Sequence, residues 1–143
     1  AVFREKLSRK SFFVLNTHFD HKGETARQES GNLILKKVNE LAEEMPVLVL
    51  GDFNASPVSS VIKNIVDTNN PLHLTDSRTI SPVVYGPDWS FHDFGRTPLA
   101  ERELIDYIFV KNEVRVLKYG VLAEQEGKDF LSDHCPVLVK VQF

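Results

Sequence analysis

A mixed α/β chain is the fold this sequence predicts, and three observations predict it. Short runs of branched apolar residues, such as Val47-Leu48-Val49-Leu50 and Val137-Leu138-Val139, have the length and composition of buried strands. Between Thr25 and Met45, and again from Val58 to Val66, apolar residues return at helical spacing. Proline and glycine mark several of the boundaries, Pro46, Gly51 and Pro57 among them.

Taken in order, Val2 to Leu7 and Ser11 to His18 read as two strands joined by the polar turn Ser8-Arg9-Lys10. The helix from Thr25 to Met45 places Ile34, Val38, Leu41 and Met45 on one face, and Thr25 with Gln28 forms a capping-box pattern. Pro46 stops it and leads into the Val47–Leu50 strand. A second helix is signalled by Ser56 as cap, Pro57 at its first position, then Val58, Val61, Ile62, Ile65 and Val66. Asn69 to Arg102 is loop-rich and holds four of the seven prolines; long irregular stretches in compact domains often carry function. Leu104 to Val110 and Val114 to Leu122 read as strands around the turn Lys111-Asn112-Glu113, and Val137 to Phe143 as the last strand. The class is α/β (α+β), with a mixed, largely antiparallel sheet flanked by helices and adjacent strands expected to be antiparallel.

The 143 residues suffice for one domain, or part of one, with a real core. With 42% hydrophobic and 26% charged residues, the chain is neither disordered nor a bundle of membrane spans. No apolar run approaches the roughly 20 residues that a spanning helix needs. A net charge of −3 does not advertise a nucleic-acid coat and leaves a small phosphate ester open as substrate. A single cysteine excludes an internal disulfide and a cysteine-based zinc site. The chain opens at Ala1-Val2-Phe3, already in strand-like sequence, which suggests a segment of something longer.

Chemistry concentrates at strand ends. Asp52 and Asn54 lie two apart just past a buried strand, so alternation points both the same way. Asp there can deprotonate a water and Asn can donate to a phosphoryl oxygen, although both residues, with Gly51, are also ordinary turn formers. Asp133-His134 precedes the last strand and has the same two readings, metal and phosphoryl ligand or loop cap. Asp106 sits inside the apolar run Ile105-Asp106-Tyr107-Ile108-Phe109, where a carboxylate is costly unless paired, and an imidazole is its natural partner. His18 closes the second strand, where a lone histidine is a structural residue more often than a catalytic one. Arg27 is a phosphate contact or a surface charge; Trp89, Phe91 and His92 form a substrate wall or packing over the sheet edge. Cys135, before Pro136, reads as a buried inert thiol.

Four motifs in order, Asn16-Thr17-His18-Phe19-Asp20-His21, Gly51-Asp52-Phe53-Asn54, Ile105-Asp106-Tyr107-Ile108-Phe109 and Ser132-Asp133-His134-Cys135-Pro136, resemble the endonuclease/exonuclease/phosphatase superfamily of metal-dependent hydrolases. The resemblance implies two packed sheets flanked by helices, a four-layer α/β/β/α sandwich of which this chain is the C-terminal half. It implies hydrolysis of a phosphate ester by activated water, supported by Mg²⁺ with Mn²⁺ as the alternative. Carried over, Asp52 orients or deprotonates the water and touches the metal, and Asn54 steadies the transition state. His134, paired with Asp106, binds phosphoryl oxygens; Asp133 sits at the metal and His18 at the phosphate. Two departures stand out: nothing here matches the family's upstream Asn and metal-anchoring Glu, and Leu104 occupies a position where relatives often carry Arg, with Arg102 further back. The 143 residues are therefore expected to be inactive alone and to self-associate through an uncovered sheet face. The reading from another class is a non-catalytic binding or scaffold module.

Overall fold

The computed structural model describes residues 1–123 and 130–143. Five strands form one sheet in the order β1 (Val2–Arg4), β2 (Ser11–His18), β3 (Val47–Asp52), β6 (Asp106–Lys111), β4 (Thr75–Asp76). Three form a second, in the order β5 (Val84–Tyr85), β7 (Arg115–Val121), β8 (Val137–Gln142). The α-helices among the described residues are α1 (Glu24–Ala42), α2 (Ser60–Val66) and the single turn α3 (Ser77–Ile80), with short 3-10 turns at Asp93–Gly95 and Leu99–Glu101. The expected class holds: α/β, with largely antiparallel sheets and flanking helices. Two pairings depart from the antiparallel expectation, β2 with β3 and β5 with β7, which run parallel. For β2 and β3 the reason is α1, whose 19 residues return the chain to the same end of the sheet, a crossover that a tight turn cannot make.

Strand alternation sorts the core. Phe13, Val47, Val49, Tyr107 and Phe109 share one face of the five-stranded sheet and are all buried with Ile34, Leu35 and Val38 of α1 and Ile62 and Ile65 of α2. Val14, Leu48, Leu50 and Ile108 occupy the opposite face and are half-buried. On that face Phe143 stacks on Phe12 at 4.7 Å, and Leu50 and Ile108 line a cleft with Pro136 and Val137. The start and the end of the chain's last strand thus both lie over this face.

Several boundaries differ from the pattern-based reading. The first strand stops at Arg4 because the Glu5 carboxylate gathers the backbone N–H groups of Leu7 and Ser8 into a turn that leaves Leu7 exposed. α1 begins at Glu24, so Thr25 lies inside the first turn and no side chain caps it; the Asp20 carboxylate instead accepts from the N–H groups of Lys22 and Gly23. Its buried stripe runs Gly31, Ile34, Leu35, Val38, Ala42, which leaves Leu41 exposed. α2 starts at Ser60, four residues past the expected cap: Ser56 closes a turn by accepting from both the N–H and the hydroxyl of Ser59, and Val58 points to solvent. The loop from 69 to 102 contains β4, α3 and β5, elements of two to four residues that are too short to carry a period. No described helix is long and apolar enough to cross a membrane.

Candidate functional site

Register does most of the assembly. In the β2–β3 ladder His18 lies opposite Asp52, and in the β3–β6 ladder Asp52 lies opposite Asp106. Opposed residues share a face, so the three form a row at the sheet's rim, on the half-buried face. His134 arrives from the segment before β8, an isolated bridge to Phe91 holding its backbone. The His134 Nδ1 lies 2.7 Å from Asp106 Oδ2, the carboxylate–imidazole pair that the apolar setting of Asp106 called for. Both partners are half-buried rather than sealed. The His134 Nε2 faces Asp52 Oδ2 at 4.0 Å, and His18 Nε2 approaches the same oxygen at 3.2 Å from the solvent side.

Past β3 the backbone makes a turn. Asn54 adopts a left-handed φ of 46°, which Asn tolerates, and its N–H donates to Asp52 Oδ1 at 2.7 Å. The Asn54 carboxamide donates to Phe19 O at 3.0 Å and to Asp52 Oδ2 at 3.2 Å. The turn that the plain reading of Asp52 and Asn54 anticipated is therefore present, and it fixes the carboxylate toward the two histidines. Gly51 makes the approach feasible: at φ 143°, a Cβ would lie 1.9 Å from the Thr17 carbonyl oxygen. Tyr107 ties the two chain segments beneath, its hydroxyl donating to Ala55 O (2.8 Å) and Leu104 O (3.0 Å).

Burial raises the Asp52 pKa above the ordinary carboxylate value, as does the neighbouring Asp106, while the Asn54 N–H and the two histidines oppose the shift. His134 is shifted up, first by its hydrogen bond to Asp106 and against its own burial, so the imidazolium is favoured there. Atoms of Asp52, Asp106 and His134 lie within 4.8 Å of one another, close enough for the two carboxylates to converge on one metal ion beside the imidazolium. They line an open cleft of about 320 Å³ with Leu50, Ile108 and Pro136. Two carboxylates are the hard donors that Mg²⁺ takes, with water completing its shell; Mn²⁺ tolerates the same set.

The other sequence candidates fall around this cluster rather than in it. The Asp133 side chain accepts from the Ser132 hydroxyl at 3.3 Å and lies outside the three-residue group, while its carbonyl accepts from the N–H groups of His92 and Asp93. Arg27 donates to the carbonyl of Asp20 and so braces the loop after β2. Phe91 packs edge-on to the His134 ring, centroids 5.0 Å apart, from outside the residues that line the cleft. Trp89 is covered by the Arg102 guanidinium at 4.4 Å, and Arg102 also donates to Thr97 O, so both are engaged in packing away from the cleft. His92 is 1% exposed; its Nδ1 accepts from the Gly95 N–H, and among the described residues its Nε2 has no partner. Cys135 is buried, with its thiol pushed up by burial, as expected of an inert side chain. Sequence reasoning met Ser90 only as part of the run Trp89-Ser90-Phe91-His92 and gave it no role of its own.

The chain is of the two-sheet α/β class, with an acid–imidazole cluster at the rim of the larger sheet. Comparison supplies the family: residues 4–134 match the model of the Endonuclease/Exonuclease/phosphatase family, and the chain belongs to it. No curated protein matches it. Among solved structures it is similar to an endonuclease/exonuclease/phosphatase from Bacteroides vulgatus, 39% identical with a TM-score of 0.89, covering 99% of this chain and 53% of that one. It is also similar to a mannosyl-6-phosphatase from Bacteroides thetaiotaomicron, 30% identical with a TM-score of 0.84, covering 99% of this chain and 55% of the other. Sphingomyelinase C from Streptomyces griseocarneus shares the fold at 17% identity, with a TM-score of 0.65 and coverage of 96% and 55%. The chain spans about half the length of each.

Proposed function

We propose that the complete protein hydrolyses a phosphate ester with activated water at the rim formed by His18, Asp52, Asp106 and His134. The single observation that carries the reading is the convergence of Asp52 and the His134–Asp106 pair on one cleft. Asp52, held by two donors from Asn54 and raised in pKa, accepts the proton of the attacking water. Asp106 keeps the Nδ1 proton of His134 in place and favours its charged form, which leaves Nε2–H to donate to a phosphoryl oxygen as negative charge develops. The 4.0 Å between His134 Nε2 and Asp52 Oδ2 is too long for a direct hydrogen bond and leaves both groups free for water and substrate. Exposed His18 meets the phosphate from the open side, and Asn54 acts by steadying Asp52. Asp52 and Asp106 would hold Mg²⁺, or Mn²⁺, which would supply neutralisation of phosphoryl charge there, while Asp133, the residue before His134, lies outside that group.

The span of about half the relatives' length supports reading residues 1–143 as the C-terminal portion of one such domain, with further metal ligands upstream. The isolated chain is then expected to bind Mg²⁺ weakly and to self-associate through its half-buried sheet face, which calorimetry and light scattering test. The mannosyl-6-phosphatase among the similar proteins makes a sugar phosphate the first ester to assay. The deciding experiment gives the complete protein a panel of sugar phosphates, phospholipid head-group esters and oligonucleotides, with Mg²⁺ and with EDTA. Turnover abolished by EDTA and by Asp52→Asn supports the reading. No turnover of any ester by a folded, Mg²⁺-loaded protein overturns it in favour of a binding module.

A further inference from the structure

The segment Trp89–Asp93 lies between the chain that carries Asp106 and the chain that carries His134, and Ser90 contacts both. Ser90 is fully buried, with 0% of its surface exposed. Its Oγ accepts from the backbone N–H of Ile105 at 3.0 Å and of Asp106 at 3.1 Å. Its carbonyl accepts from the Cys135 N–H at 2.7 Å, and its own N–H donates to Glu103 O at 2.9 Å. One residue thus grips the backbone of Asp106 and that of the residue after His134.

Strand pairing explains why a side chain is needed there. On one edge β6 is paired to β3 along its whole length, Asp106 facing Asp52. On the other edge β4 reaches only Val110 and Phe109. The start of β6 therefore has no strand to satisfy its outward N–H groups, and the Ser90 hydroxyl takes their place, both of its lone pairs in use. Residue 91 then bridges Glu103 on one side and His134 on the other, which continues the same spacing.

We infer that Ser90 is a positioning residue, whose hydroxyl and carbonyl together set the reach between the Asp106 carboxylate and the His134 imidazole. The inference rests on the proposed role of that pair. Without the hydroxyl, the start of β6 is free to shift, and the 2.7 Å contact is lost or lengthened while the substrate-binding surface stays in place.

The test uses the complete protein and four forms: wild type, Ser90→Ala, Asp106→Asn and the double variant, each checked for folding by circular dichroism. Ser90→Ala is expected to lower kcat by about 10- to 100-fold, with KM changed less than about twofold, as for a misplaced catalytic group. In the Asp106→Asn background the same change is expected to cost less than about twofold, because the group it positions is already disabled. Ser90→Thr, which keeps the hydroxyl, restores kcat. If Ser90→Ala does not fold, Ser90→Cys, similar in size with a weaker acceptor, is expected to show the same kcat-only loss in smaller degree. Wild-type kcat in a folded Ser90→Ala, or an equal loss with and without Asp106, overturns the inference. If Asp106→Asn is damaged and Ser90→Ala is not, the Ser90 inference alone fails. Full turnover in Asp106→Asn overturns the reading of the site as well.

Discussion

Replacing Gly51 by Ala tests whether the rim of the sheet is set by backbone contact between β2 and β3. An ideal Cβ at Gly51 would lie 1.9 Å from the Thr17 carbonyl oxygen, where ordinary contact begins at 3.4 Å. Thr17 is the ladder partner of Gly51, so the obstacle is backbone held on both sides and cannot swing away as a side-chain tip would. Relief needs about 1.5 Å of strand separation at this point. Holding a non-glycine residue at φ 143° costs about 1–3 kcal/mol, and each ladder hydrogen bond lost adds about 1 kcal/mol. We expect a loss of about 3–5 kcal/mol in total, at the upper end for a point change. The next pair in register is His18 with Asp52, so their 3.2 Å contact opens too and turnover falls with stability. Urea unfolding of the complete protein measures the first effect and steady-state kinetics the second. Gly120→Ala serves as the control, because the nearest atom to its Cβ is Tyr85 Cβ at 3.8 Å, and it should stay within about 1 kcal/mol of wild type. A Gly51→Ala protein as stable as the Gly120→Ala protein would refute the steric reasoning.

The remaining predictions concern the cluster and its support. Asp52→Asn is expected to lower kcat by roughly 10²–10⁴ with little change in the melting temperature, because a rim carboxylate contributes little packing; near-normal turnover would remove Asp52 from its role. His134→Ala should do comparable damage, and combining it with Asp106→Asn should add little, since the two act as one unit. Tyr107→Phe deprives two buried carbonyls of their shared donor and should cost about 1–3 kcal/mol, measured by chemical denaturation. His92 is buried and its pKa is lowered by that burial, so the unfolded chain binds its proton more readily than the folded one. Its contribution to stability is therefore present above the ordinary histidine value near 6.5 and is lost as pH falls from there toward the depressed folded value. His92→Leu should flatten the stability curve in that window, and an unchanged slope would count against the buried neutral imidazole.

The longer elements were readable because their periodicity outweighs local noise. Val47–Asp52 and Asp106–Lys111 carry unbroken apolar runs, and α1 has five turns over which a stripe can declare itself. Where two residues compete for one face, the pattern misleads. Leu41 is the more apolar, yet the helix buries Ala42, which lies four residues after Val38 on the face toward the sheet. The parallel pairing of β2 with β3 was available in principle, since a long helix between two strands is what a parallel crossover requires. Reading neighbouring strands as antiparallel neglected that helix. The split into two sheets, which the family resemblance implied, was not readable from periodicity, because β5 is two residues long and its partner β7 lies beyond the irregular segment.

For the site, the separation between what was visible and what was not follows from the kind of interaction each residue makes. Asp106 announced itself because a carboxylate in an apolar strand has one inexpensive solution, a nearby cation or donor, and His134 supplies it. His18, Asp52 and Asp106 become neighbours through register alone, and register follows from where the apolar runs begin and end. Ser90, Gly51 and Tyr107 act instead on backbone groups of distant segments: Ser90 on Ile105 and Asp106, Gly51 on Thr17, and Tyr107 on Ala55 and Leu104. A backbone N–H or C=O is the same at every position, so nothing in the sequence marks which residue will need a partner. Only the places where strands stop pairing reveal that need. The start of β6, which β4 does not reach, is such a place, and a serine from a loop fifteen residues upstream of Ile105 fills it.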